Sequence, residues 1–358
     1  MAGPTNLRRP PAPWLRLRRL YRTIASRRLR RTTQNHCFRQ YARDYAGATD
    51  AGVQCRPRRI VEELRMPSAE DKWSTWLASE RTGGDPERSA VILAQTRAVA
   101  ERVLKRLPLA SGDVIADVGC GEGLVGLTAL ERPGVRVVFT DVSPPLVERA
   151  RAAVAAMGAL DRSTFAVADA SALLPLDDAS VDGIVSRASL AYVADKNCAF
   201  AAAHRVLRPG GRLSIAEPIL RDAAFRLVAM RAAIASAPGD LELLHRWHAL
   251  AIPDTVEAIR AHPLTNFDER GLLQSARTAG FVNAHLRLHL DEVMSVQASW
   301  NVMLATALVP GSPTLGAALD DHYSAEERAR FEQRFRPMFE RGLFPPEVRA
   351  TAYLWASR

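Results

Sequence analysis

Three carboxylates in this chain stand at or near the ends of apolar, strand-like runs. Asp117 follows Val114-Ile-Ala116, Asp141 follows Val135-Arg-Val-Val-Phe-Thr140, and Asp169 follows Thr164-Phe-Ala-Val-Ala168. Between the first two acids, Gly119, Gly121 and Gly123 alternate with Cys120 and Glu122 before the helix-like run Leu124–Leu130. A strand that turns through glycines onto a helix start lets a ligand approach bare backbone. The N–H groups and the helix dipole then face the ligand's anionic end. Carboxylates at neighbouring strand tips suit the opposite chemistry: a cationic group, or hydroxyls and amines that donate hydrogen bonds. The ligand this pattern describes carries both kinds of group.

A dinucleotide site is one reading, but a G-x-G-x-x-G pattern begun at Gly119 meets Leu124 where the third glycine belongs. A carboxylate at Asp117 is also a poor neighbour for a pyrophosphate. The stretch Asp117-Val-Gly-Cys-Gly-Glu-Gly123 instead closely resembles the first motif of class I S-adenosylmethionine-dependent methyltransferases, of the small-molecule, type 11-like kind. Their ligand, S-adenosyl-L-methionine, has an ammonium, a carboxylate and a sulfonium. The resemblance implies that Asp117, Gly119, Cys120 and Gly121 surround its methionyl end. It places Asp141 and Val142 at the ribose, with Asp141 22 residues beyond Gly119, near the offset at which an acid reaches ribose hydroxyls. Asp169 and Ala170 fall to the adenine, and Arg187 completes the expected cofactor set. The likeness is specific over Asp117–Pro218 and looser on either side.

These residues need a scaffold, and the pattern supplies one. A fourth strand ends near Ser186-Arg187. The run Ala203–Pro218 reads as a helix, a Pro-Gly-Gly turn and a fifth strand. Phe281–Val293 alternates through Val282, Ala284, Leu286, Leu288 and Leu290 as a sixth, and Arg349–Ala356 is a seventh. The fold class expected is α/β, a doubly wound, seven-stranded Rossmann-like methyltransferase sheet with helical cap insertions. The resemblance makes the last strand antiparallel, between the fifth and sixth. The boundaries expected are a basic, disordered leader over 1–65, an N-terminal helical element over 66–109, and a core over 110–358. Cap insertions fall at about 220–266 and 294–346, beside the crevice where open α/β sheets bind ligands, and read as substrate lids. Trp73 and Trp76, on the first helix, are packing residues or pocket walls.

The charge is uneven. Residues 1–65 hold 16 arginines, no lysine and only four acids, Asp44, Asp50, Glu62 and Glu63. The whole excess of +9 therefore sits there, and the remainder is slightly acidic, which disfavours nucleic-acid binding by the core. Trp14, Leu17, Leu20, Tyr21 and Ile24 fall at helical spacing among the arginines, as in a membrane-surface helix or an organelle transit peptide. Met66 is a candidate alternative start. Arginine outnumbers lysine 45 to 3, the mark of GC-rich codons, so a bacterial, cytoplasmic protein is expected. There is no apolar run long enough for a membrane span. Cys37, Cys55, Cys120 and Cys198 lack metal-ligand spacing, so no metal is expected.

Methyl transfer asks little of a protein beyond positioning, and a base matters only where the acceptor arrives protonated. No catalytic residue stands out. Tyr192, His245 and His248 are weak candidates, His262 and His204 weaker still, His204 reading as structural. Arg187 and Glu217 are expected to face the crevice and to be available to a substrate. The chain lacks an Asn/Asp-Pro-Pro-aromatic tetrapeptide after the fourth strand, a paired-glutamate loop and a cysteine cluster. This disfavours adenine-N6, protein-arginine and arsenite acceptors and leaves a small, partly apolar molecule. Two alternatives remain open: recruitment to nucleic acid or membrane by the leader, and a non-catalytic cofactor-binding protein. Oligomeric state is not legible.

Overall fold

The computed structural model describes residues 71–294 and 297–358. The basic leader, Met66, Cys37 and Cys55 lie outside the described residues. Seven strands form one sheet: β1 (Val114–Val118), β2 (Arg136–Asp141), β3 (Ser163–Val167), β4 (Val181–Arg187), β5 (Leu207–Pro218), β6 (Val282–Val293) and β7 (Glu347–Ser357). Their order is β3-β2-β1-β4-β5-β7-β6. The first five pair in parallel, and β7 runs antiparallel to both β5 and β6. A plain doubly wound dinucleotide sheet has the order 3-2-1-4-5-6. The inserted antiparallel strand is what sets this fold apart, as the family resemblance implied.

Strand β1 lies at the centre of the reversal, between β2 and β4, so the crevice opens above its carboxyl end. Its neighbours in register carry the key residues to one edge: Asp117 opposite Phe139 and Val185, and Val118 opposite Thr140 and Ser186. Because β7 is antiparallel, its start lies at that same edge, with Thr351 opposite Pro218. Glu347 and Arg349 thereby join the crevice side of the sheet.

Helices cover both faces. On one, α2 (Pro86–Leu104), α3 (Leu124–Leu130) and α4 (Pro144–Ala156) bury Leu104, Val125, Leu130 and Val154 against Ile115, Val137 and Phe139. On the other, α5 (Lys196–Val206) and α9 (Glu269–Thr278) bury Phe200 and Leu272 against Ile184, Leu213, Ile215 and Leu354. Strands buried on both faces need continuous apolar sequence, which is how β1, β2 and β4 read. Helix starts are marked by side-chain caps: Asp85 before Pro86, and Ser143 before Pro144.

The two insertions form a single cap. The first supplies α6 (Arg221–Ser236), α7 (Leu241–Ala249) and α8 (Val256–Ala261); the second supplies α10 (Trp300–Leu304), α11 (Leu315–His322) and α12 (Ala325–Glu340). Leu243, Leu244 and Trp247 of α7 share one buried cluster with Trp300, Leu315, Leu319, Phe331, Phe335 and Phe339. The Tyr323 hydroxyl donates to Leu243 O at 2.7 Å. The cap also grips the amino-terminal element, α1 (Lys72–Thr75) and the π-helical turn Trp76–Glu80. Ala307 N donates to Glu80 O at 2.9 Å, and Trp76 Nε1 to Ala307 O at 3.0 Å.

Three expectations are corrected. The Pro-Gly-Gly segment is not a turn before β5 but an irregularity within it, since Leu207 already pairs with Val181 before the register shifts to Gly183–Arg212. The first insertion reads as amphipathic through Phe225, Val228 and Met230, but helix α6 buries Ala224 and Leu227 and leaves Phe225 exposed. Only part of the alternating face of β6 meets the core: Ala284 and Leu286 pack against it, whereas Val282, Leu288 and Leu290 are exposed on this edge strand.

Candidate functional site

The glycine loop is held in a shape only glycine takes easily. Gly119 and Gly121 have φ of 65° and 56°, and a Cβ on Gly119 would fall 1.9 Å from Ser189 Oγ. Gly126 lies so close to Phe139 that an added Cβ would meet the ring at 2.2 Å. Read from Gly121, the run Gly121-Glu-Gly-Leu-Val-Gly126 does have G-x-G-x-x-G spacing, and Gly126 does the helix-to-strand packing expected of the third glycine. The distinction from a dinucleotide site therefore rests on the acids and on β7, not on a missing glycine.

The three strand-tip acids differ in state. Asp117 is 1 % exposed, and its Oδ2 accepts from Gly126 N at 2.8 Å. It thus ties β1 to the first turn of α3. Burial pushes its carboxyl up to about 7, against the opposing pull of that N–H and of nearby Arg187. Asp141 accepts from Gly121 N at 2.8 Å and from Ser143 N at 3.0 Å, bracing the glycine loop from the next strand. Its carboxyl is likewise raised by burial. Asp169 Oδ1 accepts from Ser171 N at 2.7 Å. Beside these acids, Val142 is 42 % exposed at the tip of β2, an apolar platform of the kind a flat base can lie on. Ala170 is half-buried, and Cys120 is a buried free thiol whose Sγ–H burial keeps protonated.

The first helices close over this loop. A Cβ on Gly121 would meet Leu77 Cδ1 at 3.4 Å, Arg149 donates to Ser74 O at 3.0 Å, and Trp73 stands edge-on to Tyr192 at 4.8 Å. Trp73 and Trp76 are both half-buried, so they pack and border the crevice at once.

The far side is built on Glu217, at the end of β5. It does not face a ligand as expected: it is fully buried and accepts from Ala191 N at 3.0 Å and Ser189 N at 3.3 Å. It shapes the loop after β4, where Ala188 is forced to φ of 51°. Lys196 completes that staple by donating to the carbonyls of Ala191, Val193 and Pro263 at 3.1, 2.6 and 2.8 Å. Arg187, at the tip of β4, is left between Asp117, Glu217 and Tyr192.

The histidines do not gather in the crevice. His245 is buried in the cap with Nε2 3.5 Å from Asp254 Oδ2. His248 lies against Trp247 and feels Glu347; dehydration pulls it down to about 4, a poor base at neutral pH. His204 stands edge-on to Phe281 behind the sheet. Tyr192 is at the crevice, but burial pushes its hydroxyl up to about 12, so it donates rather than accepts. The residue that sequence reasoning missed is Arg81. It follows the π-helical turn, a feature common at functional sites but without a sequence signature, and lies within electrostatic reach of Arg187, Tyr192, Glu122 and Arg349.

The donor set fits S-adenosyl-L-methionine: glycine backbone for a carboxylate, acids for cationic and hydroxyl groups, and an apolar platform for a base. No group of His, Cys, Asp and Glu suited to a metal occurs among the described residues, nor any helix long and apolar enough to cross a membrane.

Comparisons with known proteins agree with this geometry. A methyltransferase-domain family model matches residues 116–215. The 27-O-demethylrifamycin SV methyltransferase of Amycolatopsis mediterranei is 35 % identical over 145 residues, 40 % of this chain and 53 % of that one. Nocamycin O-methyltransferase of Saccharothrix syringae is 34 % identical over 204 residues, 54 % of this chain and 68 % of that one. A ubiquinone/menaquinone biosynthesis C-methyltransferase of Acidiphilium cryptum is 28 % identical over 202 residues, 52 % of this chain and 74 % of that one. The chain spans about half the length of the first relatives it matches. It belongs to the class I S-adenosylmethionine-dependent methyltransferase family.

Proposed function

We propose that this chain transfers a methyl group from S-adenosyl-L-methionine to a small-molecule acceptor. One observation carries the reading. Carboxylates at three adjacent strand tips surround a left-handed glycine loop that is itself braced by one of them, through Gly121 N and Asp141. The loop backbone would take the cofactor's carboxylate, Asp141 its ribose, Asp169 and Ala170 its adenine, with Val142 beneath the base. When bound, the cofactor supplies a methyl carbon activated by a positively charged sulfur.

The chain's own part is to hold the acceptor in line and keep water out, which positioning and enclosure can achieve. Leu77, Trp73 and the cap form the cover. His248, pulled down to about 4, is a poor base at neutral pH, which supports an acceptor that arrives already nucleophilic. The names of two relatives above are those of O-methylating enzymes, which supports oxygen as the atom methylated.

The test is calorimetric titration with S-adenosylhomocysteine. Asp141→Ala should weaken binding by about 10- to 100-fold, the cost of losing charge-assisted bonds to two hydroxyls, with circular dichroism unchanged. Equal affinity in the two proteins would sink the reading. Screening a metabolite extract for S-adenosylhomocysteine release would then find the acceptor.

A further inference from the structure

Arg81 and Arg187 reach the crevice from opposite sides. Arg187 stands at the tip of β4, directly before the loop braced by Glu217. Arg81 comes down from the end of the π-helical turn, held beside the Trp76 ring at 5.5 Å. The two guanidinium groups lie within electrostatic reach of each other and of Tyr192, whose ring is fixed edge-on by Trp73. Among the described residues, neither guanidinium has a hydrogen bond or an ion pair, and the Tyr192 hydroxyl has no hydrogen bond.

Several other partly buried arginines have partners, although Arg106 and Arg132 share this lack of a hydrogen bond or ion pair. Arg221 pairs with Asp268 and Arg162 donates to the carbonyls of Val135 and Leu130. The acids near the two free arginines are committed elsewhere. Asp117 is bonded to Gly126 N, Glu217 to Ser189 N and Ala191 N, and Glu122 pairs with Arg149. Arg349, the other cation in reach of Arg81, is exposed and paired with Glu347.

We infer that Arg81, Arg187 and Tyr192 form an oxyanion receptor, and that the methyl acceptor is a molecule whose attacking oxygen is ionised, an acidic hydroxyl or a carboxylate. This deepens the function proposed above and rests on it. Two partly buried cations within electrostatic reach of each other cost energy that an anion beside them offsets. Burial first, then the charge of Arg187, pulls Arg81 down to about 10; burial pulls Arg187 in the same direction, against the raising effect of Asp117, Glu217 and Tyr192, and both stay charged at neutral pH. The same pair is a poor cradle for a sulfonium. Arg187, expected in the cofactor set, therefore belongs with the acceptor.

The chemistry closes without a base. The acceptor oxygen gives a lone pair to the methyl carbon as the carbon–sulfur bond breaks, and that bond's electrons return to sulfur, which becomes neutral. The oxygen loses its negative charge and becomes an ether or ester, so no proton needs a destination. The guanidinium forks and the tyrosine hydroxyl hold the anion and suppress its protonation.

The experiment uses the full chain saturated with S-adenosylhomocysteine and three probes: p-nitrophenolate, benzoate and neutral benzyl alcohol. Ionisation of p-nitrophenol is read from its yellow colour, and binding from quenching of tryptophan fluorescence. The wild type should bind at least one anion well above benzyl alcohol. Arg81→Met and Arg187→Met should each weaken anion binding roughly 10- to 100-fold, and Arg81→Met should leave S-adenosylhomocysteine affinity within about threefold. Arg187→Lys keeps the charge and should recover part of the loss, which covers the case in which Arg187→Met is poorly folded. Tighter binding of p-nitrophenolate, with more yellow form at mildly acidic pH, assigns the acceptor to phenols and enols; tighter binding of benzoate assigns it to carboxylic acids. Anions bound no better than benzyl alcohol, or equally by wild type and variants, overturn the inference. Failure of the wild type to bind S-adenosylhomocysteine overturns instead the function on which it rests.

Discussion

The two sides of the crevice recognise their ligands by different means. On the β1–β3 side the recognising surface is backbone: left-handed glycines, the start of α3, and acids bonded to main-chain N–H groups within about two dozen residues of one another. On the β4–β7 side it is side chains brought from far apart: Arg81, Arg187, Tyr192 and, above them, a cap whose core joins Leu243 to Phe331. The first side suits a cofactor that stays the same whatever the acceptor. The second can change its acceptor by changing side chains and leave the loop alone. Glu217 marks the frontier, a buried acid that binds nothing foreign and only shapes the loop carrying Tyr192.

The largest effect is expected from Gly119→Ala. Its φ of 65° alone costs about 1–3 kcal/mol for alanine, and the new Cβ overlaps Ser189. Cofactor affinity should fall by about 100-fold or more, measured by calorimetry; a fall of less than about threefold would mean the loop does not set recognition on this side.

Phe331→Ala attacks the other side only. Phe331 is 0 % exposed in the cap core, so its loss should cost roughly 3–5 kcal/mol of stability. Hydrogen exchange should rise in α7, α11 and α12, while S-adenosylhomocysteine still binds. Loss of cofactor binding as well would show that the two sides are not separable.

Asp117→Asn sharpens the comparison through pH. The native carboxyl sits near 7, above its ordinary value of 3.8. Between those values the folded chain keeps a proton that the unfolded chain has released, so stability from this group falls as pH rises through that window. The Asp117→Asn variant should therefore melt later than wild type at about pH 8, by the equivalent of roughly 1–3 kcal/mol, and no later near pH 4. A cation at the site favours the ionised acid. Wild-type affinity for S-adenosylmethionine should thus drop about 3- to 10-fold from pH 8 to pH 6, and the variant should lose that dependence. A flat wild-type profile would remove Asp117 from the cofactor's surroundings.

The smallest effect is expected for His248→Gln. A ring pulled down to about 4 and packed on Trp247 is not the proton acceptor, so turnover should stay within about threefold. A hundredfold loss would restore a histidine base and undo the argument for an acceptor that arrives ionised.

The antiparallel insertion of β7 was implied by the family resemblance; the sequence by itself determined the strands, the glycine loop and Asp141 of the proposed cofactor side. These depend on short-range patterning, where positive φ demands glycine and a buried strand demands apolar residues, and one chain segment records both. Even there, Gly126 went unread, because close approach to Phe139 is a contact between α3 and β2 that no spacing spells out. Tertiary structure alone decided the acceptor side. Whether Glu217 meets a ligand or a loop, whether two insertions are two lids or one cap, and whether Arg81 meets Arg187 depend on packing between segments far apart in the chain. Side-chain identity does not encode which distant neighbour it will find, and that pairing is settled only when the cap and sheet bury their apolar faces together.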